Sequence, residues 1–523
     1  MRAPEDLFDH PALDRARGLE LGVSTSAFQS EGDLDLPGRP RTHWHDAQRD
    51  GRVEPIGAGV GLWSRWEAAV ARCAALRLRR FRFTVEWARL RPDGRALSGE
   101  VVRGYARRII SLRRKGIEPI VTLHHFTHPA HLGEDLWLRD DAPEVFAAHA
   151  DEALTALDDA LEALGSPCVD RVLTLNEPNM LALASYIAGV FPHRAPAVAD
   201  GSPWGLVRAW RCLDAALAGH CLASARIGAS RVARGRPPAD LSTNVNLLDL
   251  HGLGAGIFDL LRAPSLGVPA RDLDAWLDAR RARWHAQLFA GEQGSPRASL
   301  ARSLDGLISR VLPLSRLTRT LTSLRDRPAP LTHLAVDLYD PYTAHQLTPG
   351  ALVDALAAAD PDALARAMAQ GVGLVEPWAW RPAPEALGPM VRALGEGMPA
   401  LPVDVIECGM CAYRPAGQRV ASPRGDGVTR AGFLRVMLRA ALEARVRDDL
   451  PLRAWLYWTL VDNYELGRWS PRFGLWSRDD DGTWGERDAA GEDAARVLGD
   501  VAAALINAPV SGQALRRALA DGQ

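Results

Sequence analysis

Arg171-Val-Leu-Thr-Leu-Asn-Glu-Pro178 decides how this chain is read. Val, Leu and Thr suit a buried pleated strand, and the apolar run stops abruptly on an amide, a carboxylic acid and a proline. A second stretch has the same design: Pro402-Val-Asp-Val-Ile-Glu407-Cys-Gly409 is again a short strand-like run that delivers a glutamate and is then broken by glycine. In a barrel of parallel strands, polar groups from separate strands meet at the carboxyl ends. Glu177 and Glu407, far apart in sequence, then face each other across one pocket.

Working outward, strand-like runs fall at 21–25, 80–85, 118–124, 171–175, 241–246, 333–338, 403–406 and 453–459. Between most of them lie Ala-, Leu- and Arg-rich runs with helical spacing, such as 143–164, 204–225 and 430–447. Eight strands with intervening helices predict an α/β fold, a single (β/α)8 TIM barrel with elaborated loops at its carboxyl-end face. One domain over 1–523 is expected, with a core of about 18–505. A doubly wound sheet is the alternative, but no Gly-x-Gly-x-x-Gly turn follows the first strand. The Gly-, Pro- and Asp-punctuated 33–61 predicts a long loop over the carboxyl-end face. The largest insertion, about 252–330, mixes helical Arg/Ala/Leu patterns with Pro and Gly and is expected as an elaborated loop over or beside the pocket, and 502–523 as a helix with a frayed tail.

The 62 basic and 64 acidic residues leave a formal charge of −2, so no global field favours nucleic acid or an anionic membrane. No apolar run reaches the ~18 residues of a membrane span. A cytoplasmic protein acting on a small neutral molecule is the expectation. Six cysteines in a chain this long make no disulfide framework and read as buried reduced thiols.

Separate strand ends supply a consistent polar and aromatic set: Gln29 and Glu31, Arg82, His124-His125-Phe126, Asp337 and Tyr339, and Trp458 through Asp462, Asn463 and Glu465. Singly, each has a structural explanation; their recurrence at strand ends is what carries weight. Paired carboxyl groups are the requirement for glycoside cleavage. An arginine favours an ionised nucleophile, a tyrosine hydroxyl orients it, and an apolar surrounding beside a negative charge keeps the opposing acid protonated. Gln, His, Asn and Glu offer hydrogen bonds to hydroxyls, and an indole face packs on the C–H face of a sugar.

These motifs resemble glycoside hydrolase family 1, the retaining β-glucosidase and β-galactosidase family. Gly22-Val-Ser-Thr-Ser-Ala-Phe-Gln29-Ser-Glu-Gly32 is similar to the family's opening strand motif, and Arg82-Phe-Thr-Val-Glu-Trp87-Ala-Arg89 to its Arg-Phe-Ser-x-x-Trp-x-Arg segment. Val121-Thr-Leu-His-His125-Phe-Thr-His-Pro129 resembles Thr-Leu-x-His-Trp, and Thr174-Leu-Asn176-Glu177-Pro178 matches the acid/base motif in full. Trp458-Thr-Leu-Val-Asp462-Asn463-Tyr464-Glu465, with Arg472-Phe-Gly-Leu475 following, resembles the sugar-binding end of strand eight. The resemblance implies Glu177 as acid/base, Glu407 as nucleophile and Asn176 as partner of the sugar 2-hydroxyl. It likewise implies Gln29, His125, Trp458 and Glu465 in the glycone subsite, Arg82 and Tyr339 around the nucleophile, and no cofactor or metal.

Departures from the family pattern bear on specificity. Glu-Asn-Gly after the nucleophile is here Glu407-Cys408-Gly409, the family's Asn-Tyr-Tyr is Asp337-Leu338-Tyr339, and the tryptophan after Phe-Glu is Leu466. Phe126 stands where the family has tryptophan, which removes another N–H donor. Losing donors in a site built for hydroxyls redirects sugar selection. Pro471 stands in place of the lysine that accompanies phosphate binding in 6-phospho-sugar members, which argues against phosphorylated substrates. Cys408-Gly-Met-Cys411 has redox or zinc spacing but lacks a second ligand pair, and the His43/His45 and His124/His125 pairs read as a polar pocket rim. The expected activity is that of a retaining exo-β-glycosidase on a neutral, glucose-like β-glycoside. The alternatives are a catalytically weak carbohydrate-binding barrel, or a transglycosidase using a sugar or alcohol acceptor.

Overall fold

A computed structural model describes residues 6–92, 94, 96–195, 204–325, 331–346 and 376–520. Eight parallel strands close into one barrel: β1 (Glu20–Ser24), β2 (Arg80–Thr84), β3 (Glu118–Thr122), β4 (Arg171–Asn176), β5 (Asp240–Asn246), β6 (Leu334–Asp337), β7 (Val403–Cys408) and β8 (Leu452–Trp458). Closure comes from β8 pairing with both β7 and β1, where Glu20 stands opposite Ala454 and Ser24 opposite Trp458. All eight expected strands are present. β3 stops two residues before His124, and β7 runs on through Glu407 to Cys408.

Strands buried on both faces read as near-continuous apolar runs, because helices cover the outside and side chains fill the inside. The filling here is Ile120, Leu173, Ala335, Ile406, Ala454 and Leu456, a separate cluster inside the barrel. Outside stand α1 (Trp66–Ala75), α2 (Gly99–Arg113), α3 (Ala142–Ala163), α4 (Pro178–Tyr186) and α5 (Trp204–Ala233). α2 begins at Ser98, whose hydroxyl accepts from the Val101 amide, and buries Val102, Tyr105, Ala106, Ile109 and Leu112 along one face.

The insertion differs from the sequence expectation. Its described part is mostly helix: α6 (Ala255–Arg262), α7 (Leu273–Leu288), α8 (Pro296–Val311) and α9 (Thr318–Leu324). α7 packs on α10 (Pro384–Gly395) and α9 on α5, so these helices thicken the flank of the barrel. Apolar residues at helical spacing, including Leu273, Leu277, Trp284 and Leu288 on α7, needed a partner surface and found the barrel's outer layer. Residues 326–330 of that insertion lie outside the described residues. The loop 33–61 also carries a short helix, Trp44–Arg49. After α11 (Arg430–Val446) the chain ends in α12 (Ala494–Ile506) and α13 (Gly512–Leu519), two helices where one and a frayed tail were expected. Residues 1–5 and 521–523 lie outside the description. Arg516 on α13 pairs with Asp6 and Asp9, so the two ends of the chain are joined.

At the amino ends of the strands the charges interlock. Arg80 and Arg171 pair with Glu20, Arg171 and Arg453 with Asp404, and Arg453 and His333 with Asp240, at 2.7–3.2 Å. Burial pushes the Glu20 and Asp404 carboxyls up, but Arg80 and Arg171 at Glu20, and Arg453 and Arg171 at Asp404, outweigh it and hold both below the usual range.

Candidate active site

At the opposite end, β4 hands Glu177 to the pocket through a turn. Its backbone sits at φ 38°, in the left-handed region, immediately before the Pro178 that starts α4. Phe126 (φ 66°) and Leu466 (φ 49°), which line the same pocket, share that region. A left-handed Phe, Leu or Glu costs about 1–3 kcal/mol, so strain is gathered at this mouth. Glu407 arrives on β7. A Cβ on Gly409 would lie 2.0 Å from the Trp458 carbonyl oxygen, so only glycine lets β7 and β8 approach this closely behind it.

Glu177, Asp337 and Glu407 are buried, and one carboxylate oxygen from each lies within 4.8 Å of the others. Arg82 sits beneath them, fully buried. Strand register places it opposite Ser24, and its guanidinium donates to Ser24 Oγ (3.0 Å), Thr122 Oγ1 (2.7 Å), Asn176 Oδ1 (2.6 Å) and, in a very short contact, Glu407 Oε1. Tyr339 Oη donates to Glu407 Oε2 at 2.9 Å. Burial raises the Glu407 carboxyl, while the Arg82 charge and the Tyr339 hydroxyl oppose it. Glu177 is pushed up to about 8 by burial and by the Glu407 charge. Near neutral pH Glu177 therefore holds a proton, beside a Glu407 paired with Arg82.

The second half of the pocket gathers around Glu465. Its Oε2 accepts from Gln29 Nε2 (3.0 Å), Trp458 Nε1 (3.2 Å) and Asn463 Nδ2 (3.1 Å). Burial pushes Glu465 up to about 7 against these bonds. His125 stacks parallel to Trp458, with ring centroids 5.6 Å apart. Burial and the Arg82 charge hold its imidazole neutral. Seven of the nine residues read from sequence line one pocket: Gln29, His125, Glu177, Tyr339, Glu407, Trp458 and Glu465. Arg82 and Asn176 lie beneath it; the Asn176 carbonyl oxygen accepts from Arg82 and Asn244, while its Nδ2 is buried without a partner among the described residues.

Sequence reading missed the floor supplied by β5. Asn246 Nδ2 donates to Glu177 Oε1 at 2.8 Å, and Asn244 bridges Asn176 and Asp337. The signal was available: Asn244-Val-Asn246 places two amides on one face of a strand. Met180, Ala184 and Phe191 add an apolar wall from α4 and the chain after it, and Trp380 and Phe473 complete the lining. None of the described insertion residues takes part.

The Cys408 and Cys411 thiols are buried and pushed up by that burial, which keeps them protonated, and none of the six cysteines forms a disulfide. His43 stacks on His128 at 3.8 Å, and burial keeps both rings neutral.

Residues 17–203 match the family model for glycosyl hydrolase family 1. Over 180 residues the chain is 31% identical to beta-glucosidase 11 of Arabidopsis thaliana, covering 34% of this chain and 33% of that protein. It is 30% identical over 192 residues to cytosolic beta-glucosidase of Homo sapiens, covering 35% and 39%. The chain thus spans about a third of the length of the curated relatives it matches. Among solved structures, the family 1 b-glucosidase from Thermotoga maritima superposes with a TM-score of 0.62 at 18% identity, over 93% of this chain and 98% of that one. The AHE enzyme from Alicyclobacillus herbarius gives 0.63 at 19%, over 93% and 98%. The sequence match thus holds Gln29, Arg82, His125, Asn176 and Glu177, whereas Glu407, Trp458 and Glu465 reach the same pocket through the fold. Residues 17–203 thus resemble glycosyl hydrolase family 1, and the barrel as a whole shares the fold of these solved structures.

Proposed function

We propose that this protein is a retaining exo-β-glycosidase. One observation carries the reading: an arginine-paired Glu407 and a proton-bearing Glu177 have carboxylate oxygens within 4.8 Å across one pocket. Retaining enzymes keep their carboxyl groups about 5–5.5 Å apart, whereas inverting enzymes leave room for a water between them. Glu407 attacks the anomeric carbon while Glu177 gives its proton to the leaving oxygen. Glu177, now a base, takes a proton from water, and the resulting hydroxide equivalent hydrolyses the glycosyl ester on Glu407. The unpartnered Asn176 Nδ2 suits the sugar 2-hydroxyl, and the Glu465 cluster with the Trp458 face suits the remaining hydroxyls and ring.

The glycone is neutral and glucose-like, since neither arginine nor lysine lines the pocket among the described residues. The names of the curated relatives agree with a β-glucoside. No helix among the described residues is long and apolar enough to cross a membrane, and six cysteines held as thiols suit a reducing, cytoplasmic setting. The test is hydrolysis of nitrophenyl β-glycosides of glucose, galactose, fucose, mannose and xylose beside Glu177→Gln. Turnover that disappears in the variant supports the reading, and turnover that persists in it removes Glu177 from its role. Sugar binding by calorimetry without turnover would replace the reading with a binding barrel, and new glycosides among the products would replace hydrolysis with transfer.

A further inference from the structure

Asp337, at the end of β6, is a third carboxyl group in this centre, for which the double displacement has no use. It is fully buried, and its Oδ2 accepts from Asn244 Nδ2 at 2.5 Å. No donor among the described residues reaches Oδ1. The Glu177 carboxyl, whose own Oε1 accepts from Asn246, has an oxygen within 4.8 Å of one of Asp337. Two carboxylate oxygens accept only, so they make a hydrogen bond only with a proton between them. Among the described residues one guanidinium, Arg82, serves the set, and it pairs with Glu407. Three acids beside one cation reach neutrality when two of them hold protons.

We propose that Asp337 is a permanently protonated carboxylic acid whose hydroxyl donates to Glu177, making it a positioning residue for the acid/base. The inference rests on the assignment of Glu177 made above. Glu177 gives its own proton to the leaving oxygen. The Asp337 hydroxyl then hydrogen-bonds the carboxylate left behind, holding it for the water that follows, and Asp337 ends the cycle with its proton unchanged. The groups facing Asp337 are Glu177 from β4, Glu407 and the Cys408 thiol from β7, Arg82 from β2 and Tyr339 after β6. Burial and the Glu407 and Glu177 charges push the Asp337 carboxyl well up, and Arg82 opposes them.

Asp337→Asn is the discriminating variant, because an amide keeps an acceptor for Asn244 and a neutral donor for Glu177. If Asp337 is uncharged, kcat/KM of this variant stays within about threefold of wild type and the basic limb of its pH profile stays within about half a pH unit. Asp337→Ala then loses about 100-fold, chiefly in kcat. Asp337→Ser replaces it if the alanine variant does not fold. An ionised Asp337 instead repels a deprotonating Glu177, so its removal would lower the basic limb by about one pH unit or more and overturn the proposal. Equal activity in the asparagine and alanine variants would overturn positioning. Infrared difference spectra at neutral pH need no turnover. Loss of one protonated-carboxyl C=O band in Asp337→Asn supports the proposal, and retention of every such band contradicts it. A wild type inactive on every glycoside would break the glycosidase reading while leaving the infrared result to decide Asp337.

Discussion

The two ends of the barrel use the same residue types to opposite effect. At the amino ends, Glu20, Asp240 and Asp404 meet Arg80, Arg171, Arg453 and His333. At the carboxyl ends, Glu177, Asp337, Glu407 and Glu465 share a buried space with Arg82 as the guanidinium in contact with any of them. Both sets are desolvated. Where cations match acids, the Glu20 and Asp404 carboxyls fall below their usual range; where they do not, the Glu177 and Glu465 carboxyls rise. Burial alone therefore does not say what an acid does; the count of cations touching it does. The lower cluster ties strands together, and the upper one stores a proton at a cost in stability.

That contrast makes opposite predictions for isosteric amides. Asp404→Asn breaks a buried set of ion pairs and should destabilise the fold by about 3 kcal/mol, measured by denaturant unfolding at neutral pH. Asp404 has a lowered folded pKa, so its contribution is present above the unfolded value near 4 and fades as pH falls through the folded one. The wild-type advantage over Asp404→Asn should shrink on acidification; an advantage that grows would refute the pairing. Glu177→Gln should stabilise, on the order of 2 kcal/mol at pH 7. Its folded pKa is raised from 4.5 to about 8, so the folded state binds an extra proton, and wild-type stability falls as pH rises across that window. The midpoint gain of Glu177→Gln over wild type should widen with pH, and a constant gain would place its origin elsewhere.

The smallest expected effect concerns the wall. Leu466, held at φ 49°, offers the pocket no donor. Leu466→Trp should shift the kcat/KM ratio toward glucosides over sugars lacking the matching hydroxyl by about 10-fold, and an unchanged ratio would show that this position does not read a hydroxyl.

The barrel was legible because strand-like runs, broken by Gly, Pro or polar clusters, alternate with helical periodicity. The helical patterns of the insertion were legible, but where they pack was not: Pro264, Pro269, Pro296 and Pro313 interrupt them, and a sequence does not show which surface they cover. In the site, residues at strand ends could be found from sequence and others could not. Asn244 and Asn246, at the carboxyl end of β5, are the exception: every position of that strand but its first is buried, so alternation carried little contrast. Phe191, Met180 and Trp380 come from a helix and loops, where no periodicity points at a pocket. Asp337 was visible as a departure from a family pattern, but its role depends on which neighbours lack donors, which only three dimensions reveal.

The most direct test of the account is the anomeric configuration of the sugar first released from a β-glycoside, followed by proton NMR before mutarotation. The proposed double displacement predicts that the β-anomer appears first. Initial release of the α-anomer would mean a single displacement and would contradict Glu407 as the nucleophile.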